Sequence, residues 1–383
     1  MSASPRTIML LLPLLAGCDA ASPEARVETV DSAGIAIVTS HANDLPVRLA
    51  FHSTRPVGEP GDAETLYQFY ASNTAVDGSG NIYVLDHGAN RVHVFDSTGA
   101  RLNVFGGRGG GPGELQYPFA LAVSHAGIVR VVDVGKGKFV QWNAQGAPLQ
   151  EVELVDRYIG GQIGWTESGM IVPESGAGYR RVVLVRDNRE TTTLAEVTDL
   201  PHKAMALPSC GMRFTNMSPI FSPDLPWAVY GDRIVIARNP AYVIDEYVGG
   251  RHVRSIRRNV PPRAATAELA QASIGDVFRV RIEGGERVCD PAEVVEQQGF
   301  APYLPSIERM ALSPGGHLWV QRYTVGKEPG PIDLFDADGR YVGTIADGSA
   351  FPIGFLPDGR LLVPERDEMD VQRLTIRSVK FEP

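Results

Sequence analysis

Six segments of this chain repeat one pattern: an apolar run, a tight glycine-containing turn and a second apolar run. They are AVDGSGNIYV (75–84), AVSHAGIVRV (122–131), GWTESGMIV (164–172), AVYGDRIVI (228–236), ALSPGGHLWV (311–320) and GFLPDGRLLV (354–363). Asp-Gly, Ser-Gly and Gly-Gly in the turns supply the positive φ that a two-residue hairpin demands. After the first five pairs come a loop, a third apolar run and another turn: RVHVF then DSTGAR, KFVQWN then AQGAP, RRVVLV then RDNRE, YVIDEYV then GGRH, PIDLFD then ADGRY. Short runs rich in Val, Ile, Phe and Tyr with punctuation this regular specify four-stranded antiparallel units.

A four-stranded unit repeated six times predicts an all-β, six-bladed β-propeller of four-stranded antiparallel blades. The sixth unit lacks an outer strand before the chain ends, and the apolar stretch 46–60 near the start is expected to supply it. Such closure ties the two ends together and removes an open edge. The stretches 57–70 and 105–119 echo each other, so both are expected to join one blade's last strand to the next blade's first. Only 264–282 and 291–298 read as helical, both near or inside long insertions.

The stretch FGGRGGGPGELQYP, from Phe105 to Pro118, holds six glycines in fourteen residues. A phosphate-binding P-loop needs Lys and then Ser or Thr after its last glycine, whereas Gly113 is followed by Glu114 and Leu115. No register of these glycines meets the dinucleotide fingerprint either, and Pro118 stops any helix they would open. The stretch therefore reads as a crossover between blades, whose glycines adopt dihedrals that a Cβ would resist.

The apolar run from Ile8 to Leu15, preceded by Arg6, has the length of a secretory leader. A membrane-spanning helix needs about 20 residues to cross about 30 Å. Leu15-Ala16-Gly17-Cys18 resembles the lipobox of bacterial lipoproteins, which implies a diacylglycerol on Cys18 and a mature chain that begins there. The expected organisation is a signal peptide (1–17), a tether (18–26) and the propeller (27–383), extracytoplasmic and lipid-anchored to a bacterial membrane. In that compartment disulfides persist, and with Cys18 taken by lipid, Cys210 and Cys289 remain as a pair. Their spacing matches no metal site, and neither a metal nor a cofactor is expected. The leader carries one charge, Arg6, so its removal takes the formal net charge from −9 to −10. An acidic surface excludes nucleic acid as a partner and leaves the lipid as the sole link to the membrane. A monomer is expected.

The first unit has a further signature: a strand, then Asp86, Asn90-Arg91-Val92, Phe95-Asp96-x-x-Gly99, the run Gly111-Pro112-Gly113-Glu114 and Pro118. It resembles an NHL repeat, fully over 77–118 and partly through Gly146, and the architecture is similar to bacterial six-bladed propeller lipoproteins with NHL-like repeats. NHL-type propellers serve mostly as protein- or RNA-binding platforms, and a minority are lyases or lactonases. No metal-holding residue of the lyases maps one by one onto this chain, so none is carried over, and fold alone does not license function.

In a propeller, the connections that follow second and fourth strands emerge on one face. The insertions 201–224 and 259–305 are both such connections, one holding Cys210 and the other Cys289, so a bridge between them would staple a cap over that face. Aromatics recur where first strands begin: Tyr67, Phe69, Tyr70, Tyr117, Phe119, Tyr158, Trp227, Tyr303 and Phe351. They suit either inter-blade packing or a ring around the mouth. Each second strand ends in a charge, namely Asp86, Asp133, Glu174, Arg238, Arg322 and Glu365, which reads either as a polarised mouth or as local pairing such as Asp86 with Arg91. His87 and His202 are expected on the same face, without a G-x-S-x-G or H-E-x-x-H motif anywhere. The expected function is a binding module for a protein, peptide or glycan, with Asp86, His87, Arg108, Tyr117, Asp133, Glu174, Arg322 and Tyr323 as ligand contacts. The competing reading is a metal-dependent propeller enzyme of lyase or lactonase type, drawing ligands from Asp86, His87, Asp133, Glu174, His202 and Glu365.

Overall fold

The computed structural model describes residues 26–58, 73–154, 161–176, 178–282, 285–326, 328–346, 348, 351–366 and 372–382. Cys18, Tyr67, Phe69, Tyr70 and Tyr158 lie outside them. Six four-stranded antiparallel units follow one another along the chain. Blade 1 comprises Thr74–Val76, Ile82–Asp86, Arg91–Phe95 and Arg101–Gly106, and blade 2 comprises Pro118–Val123, Val129–Asp133, Lys138–Trp142 and Val152–Glu153. Blade 3 comprises Gly164–Thr166, Gly169–Gly176, Tyr179–Val185 and Thr191–Thr198, and blade 4 comprises Trp227–Tyr230, Arg233–Ala237, Val243–Val248 and Arg251–Arg258. Blade 5 comprises Ile307–Leu312, Leu318–Arg322, Ile332–Phe335 and Tyr341–Ile345. Blade 6 comprises Gly354–Phe355, Leu361–Arg366 and Gln372–Glu382, and its outer strand is Arg48–Pro56, antiparallel to Gln372–Glu382.

The core is a set of seams between blades. Consecutive residues of one strand point to opposite seams, which is why these strands read as unbroken apolar runs rather than alternating ones. Ile82 and Val84 pack toward blade 6, while Tyr83 and Leu85 pack toward blade 2. Met170 packs toward blade 2 and Ile171 toward blade 4. Similar clusters join blades 4 and 5 and blades 5 and 6, so every blade is buried on both faces and the ring closes.

Residues 26–56 do more than close blade 6. Arg26–Ser32 and Ile35–His41 form a hairpin whose second strand runs parallel to Arg251–Arg258, extending blade 4 to six strands. The chain then crosses the edge of blade 5, where the Val47 amide donates to the Thr344 carbonyl (2.9 Å) and the Thr344 amide to the Leu45 carbonyl (2.7 Å). One segment thus straps the outer edges of three consecutive blades. The hairpin was not expected from sequence, because its partner strand lies far along the chain.

Both insertions carry structure of their own. One holds the hairpin Lys203–Leu207/Met212–Met217; the other holds helix α1 (Ala267–Ile274), the hairpin Phe278–Ile282/Gly285–Cys289 and helix α2 (Pro291–Gln298). The helix expected over 264–282 stops at Ile274. Gly275 takes φ +90° and its amide caps the Gln271 carbonyl, after which FRVRI alternates as a strand. Helix α2 starts where Asp290 accepts the Ala292 amide ahead of Pro291. Cys210 and Cys289 are joined by a disulfide (Cα–Cα 4.9 Å) inside a small cluster with Met205, Leu207 and Val294.

Candidate functional site

The glycine-rich stretch is an internally bonded crossover. Gly106 and Gly107 adopt φ of +91° and +130°, and the Gly107 amide reaches the Asn90 carbonyl at 2.8 Å. The fully buried Leu115 donates back to Gly107, and the Asn90 side-chain amide holds the Leu115 and Gln116 carbonyls at 3.1 and 3.3 Å. Asp133 has no exposed surface and accepts the amides of Gln116 (2.6 Å), Tyr117 (3.0 Å), Gly135 (3.0 Å) and Lys136 (3.1 Å). Its carboxylate fastens the crossover to blade 2.

The other residues that end second strands are engaged too, all but one of them locally. Asp86 accepts the Gly88 and Ala89 amides at 2.8 and 3.3 Å and lies 3.9 Å from the His93 Nε2, rather than pairing with Arg91. Glu174 holds Arg181 at 2.6 Å, Arg238 pairs with Asp245, and Glu365 pairs with Arg377. Arg322 reaches Asp44 on the N-terminal strap at 2.6 Å. All six charges thus contribute to blade and seam structure. His202 lies between Asp199 (2.9 Å) and the Asn216 side-chain oxygen (3.0 Å), tying the first insertion's hairpin to blade 3. Among the described residues, no group of three His, Cys, Asp or Glu is arranged to hold a metal ion.

Of the expected ligand contacts, the structure gathers His87 and Tyr117 where blades 1 and 2 meet. His87 is half-buried against the backbone of Pro118 and Phe119; burial pushes its imidazole below the ordinary histidine range, opposed by Asp86 and those backbone groups. Tyr117 is 65% exposed, with Phe119 and Val134 exposed nearby. Arg108 is exposed on the crossover, whose backbone bridges to Leu115. Of the remaining aromatics, Trp227 and Phe351 are buried in seams, whereas Tyr303 is 45% exposed.

A second gathering involves residues that sequence patterns did not single out. The two insertions rest on the loops that follow the second strands of blades 3, 4 and 5. Arg180 donates to the Ser218 hydroxyl at 3.1 Å, and Phe221 meets Tyr323 edge-on at 6.0 Å between centroids. Asn239, buried, is the hub: its amide nitrogen donates to Asp224 (2.6 Å) and to the Ile307 carbonyl (2.8 Å), and its oxygen accepts the Ser306 and Ile307 amides, both at 3.0 Å. Burial raises the Asp224 carboxyl above the usual aspartate range, against the Asn239 hydrogen bond and Arg180. Burial likewise raises the Tyr323 phenol, reinforced by Glu308 and Asp224. Beside this hub lies a cavity of about 200 Å³ with an almost wholly apolar wall, bounded by Leu200, Phe221, Pro223, Pro240, Pro302 and Tyr303. Phe221 sits at φ +59°, a left-handed conformation rare for an aromatic residue. Such a pocket escapes sequence reading because its walls come from four separate stretches with no shared spacing.

Residues 73–159 match a family described as a 6-bladed beta-propeller. Among solved structures, the chain is similar to a protein of Bacteroides fragilis described as exported, at 14% identity over 90% of this chain and 99% of that one (TM-score 0.52). It is also similar to a member of the DUF4221 family from Bacteroides vulgatus, at 11% identity over 89% and 99% (TM-score 0.52). The likeness is one of fold. No curated protein matches the sequence. Among the described residues no helix is long and apolar enough to cross a membrane.

Proposed function

We propose that the protein is an extracytoplasmic binding module on an NHL-like propeller, held to a membrane by lipid on Cys18. Its ligand, a protein, peptide or glycan, is taken on the face carrying the stapled insertions. The observation that carries this reading is the apolar cavity beside Asn239, with Tyr303 and Tyr323 at its margin. Sites for whole ligands run to about 300–1,000 Å³, so a cavity of about 200 Å³ suits one side chain or ring of a larger ligand. The walls are held by a disulfide and by a fully hydrogen-bonded amide hub, the rigid support that a recognition surface needs.

The test uses the full chain carrying Cys18→Ala, immobilised and screened against a random peptide library and a glycan array. Ligands retained from either source should bind Phe221→Ala and Tyr303→Ala at least about tenfold more weakly, the scale of losing an aromatic contact at a recognition site. Retained ligands that bind both variants as tightly as the parent would move the site elsewhere. Retention of nothing from either source would overturn the binding-module reading.

A further inference from the structure

A second, larger cavity lies at the seam between blades 2 and 3. It measures about 520 Å³, and its walls include Phe139, Leu154 and Met170 together with Arg130, Arg186 and Arg189. The outer edge of blade 2 beside it is irregular: Pro148 bridges Trp142 and the Leu149 amide reaches the Gln141 carbonyl, and regular pairing resumes only at Val152–Glu153, against strands of six residues in blade 1 and eight in blade 3.

The turn between third and fourth strands differs in the blade that faces this edge. In blades 1, 2 and 5 this turn ends in Gly99, Gly146 and Gly339, at φ of +89°, +82° and +79°, each amide bonded to the carbonyl three residues back. A Cβ there would collide with the preceding blade's outer strand, at Pro56 (2.4 Å), Phe105 (2.8 Å) and Ile256 (2.8 Å). Blade 3 makes the same turn, with the Arg189 amide bonded to the Arg186 carbonyl, but the residue at φ +65° is an arginine. Left-handed backbone disfavours any residue with a Cβ. The Arg189 side chain lines the cavity.

Arg130 is set in the facing wall. Its Nε donates to the neutral Gln141 Oε1 at 2.5 Å, and its guanidinium stacks 4.3 Å above Trp165. Among the described residues no carboxylate is within ion-pair distance of it. Burial lowers its proton affinity, and only Asp187 acts the other way. At the far end Glu174 is held by Arg181, so it does not neutralise this group. The lining is mixed: Glu153 and Asp187 are also part of it, but neither is ion-paired to Arg130, Arg186 or Arg189, which leaves three guanidiniums beside the apolar side chains.

We propose that this cavity is a binding site for an elongated amphiphilic carboxylate. Its apolar body lies on Phe139, Leu154 and Met170, and its carboxylate is clamped between Arg130 and Arg189. Planar guanidiniums match a carboxylate in two parallel hydrogen bonds, and the volume falls within the range of small-molecule sites. The site shares no lining residue with the cavity beside Asn239.

The test titrates decanoate into the full chain carrying Cys18→Ala by calorimetry, with decanol and acetate as comparators. Decanoate should bind with one-to-one stoichiometry, and decanol and acetate at least tenfold more weakly. Arg189→Gly should weaken decanoate at least tenfold while the melting temperature stays level or rises, because glycine relieves the turn. Arg130→Gln should weaken it similarly. Arg309→Gln is the control, since Arg309 makes the same bond to Gln321 (2.6 Å) and stacks on Phe351 in blade 5. Equal affinity for decanol and decanoate, unchanged affinity in Arg189→Gly, or no binding of decanoate would each overturn the proposal.

Discussion

Asp333 shows how much one carboxylate organises when the ring surrounds it. Its side chain is fully buried and accepts Arg258 (2.7 Å), the Tyr242 hydroxyl (2.7 Å) and the Thr344 hydroxyl (2.6 Å). The Tyr242 phenol, raised by burial and then by Asp333, stays protonated and keeps donating. Asp44 closes the network from the strap, meeting Arg258 and Arg322 each at 2.6 Å. Removing one partner of a buried pair strands the other charge at a cost of about 3–5 kcal/mol. Asp333→Asn leaves Arg258 with only the half-exposed Asp44 as a carboxylate partner, so it is expected to cost up to about 3 kcal/mol in denaturant unfolding. Asp44 is half exposed (51%), so Asp44→Asn should cost about 1 kcal/mol or less. Burial would raise the Asp44 carboxyl, but Arg322 and Arg258 outweigh it and hold it below the ordinary aspartate value of 3.8. The stability it contributes is present above that value and is lost as pH falls through the depressed one. Asp44→Asn should flatten this part of the acid-unfolding curve, and an unchanged curve would remove Asp44 from the network.

Among the elements, the stapled insertions form a folding unit resting on the blades. Their cluster holds the disulfide with a few apolar side chains, while the hub at Asn239 fastens them to blades 4 and 5. A disulfide closing a sequence separation of 79 stabilises chiefly by restricting the unfolded chain, typically by about 2–4 kcal/mol. Paired substitution Cys210→Ser with Cys289→Ser should speed hydrogen exchange in 203–217 and 278–298 and leave the blade strands protected. If the blades lost protection to the same extent, the insertions would be part of the ring's cooperative core instead.

At the scale of the whole molecule, the ring is closed in blade 6 by antiparallel pairing between Arg48–Pro56, from the N-terminal part of the chain, and Gln372–Glu382. The strap begins at Arg26, close after the cysteine proposed to carry lipid. With Cys18 acylated, the propeller would sit within a short tether of the membrane. Cys18→Ala is expected to move nearly all of the protein from the membrane to the soluble fraction without changing its melting temperature. The shift should be near complete because several acyl chains hold firmly where one binds only marginally. Membrane retention of the variant would refute the anchor.

The blade count and the closing strand follow from local information. Apolar runs such as 82–85 and 170–172, with hairpin turns between them, set strand lengths and turns without reference to distant residues. The cysteine pair also follows, from the number of cysteines left once Cys18 is assigned to lipid. Charge partners are another matter. Arg322 pairs with Asp44 across 278 positions, and Asp86 turns to His93 rather than to Arg91. The parallel pairing of Ile35–His41 with blade 4, the Asn239 hub and the cleft beneath Arg189 are equally invisible in the sequence. Strands and turns are decided by the backbone preferences of neighbouring residues. Pockets and ion pairs are decided by which surfaces the closed ring brings into contact, and by how much water it leaves between them.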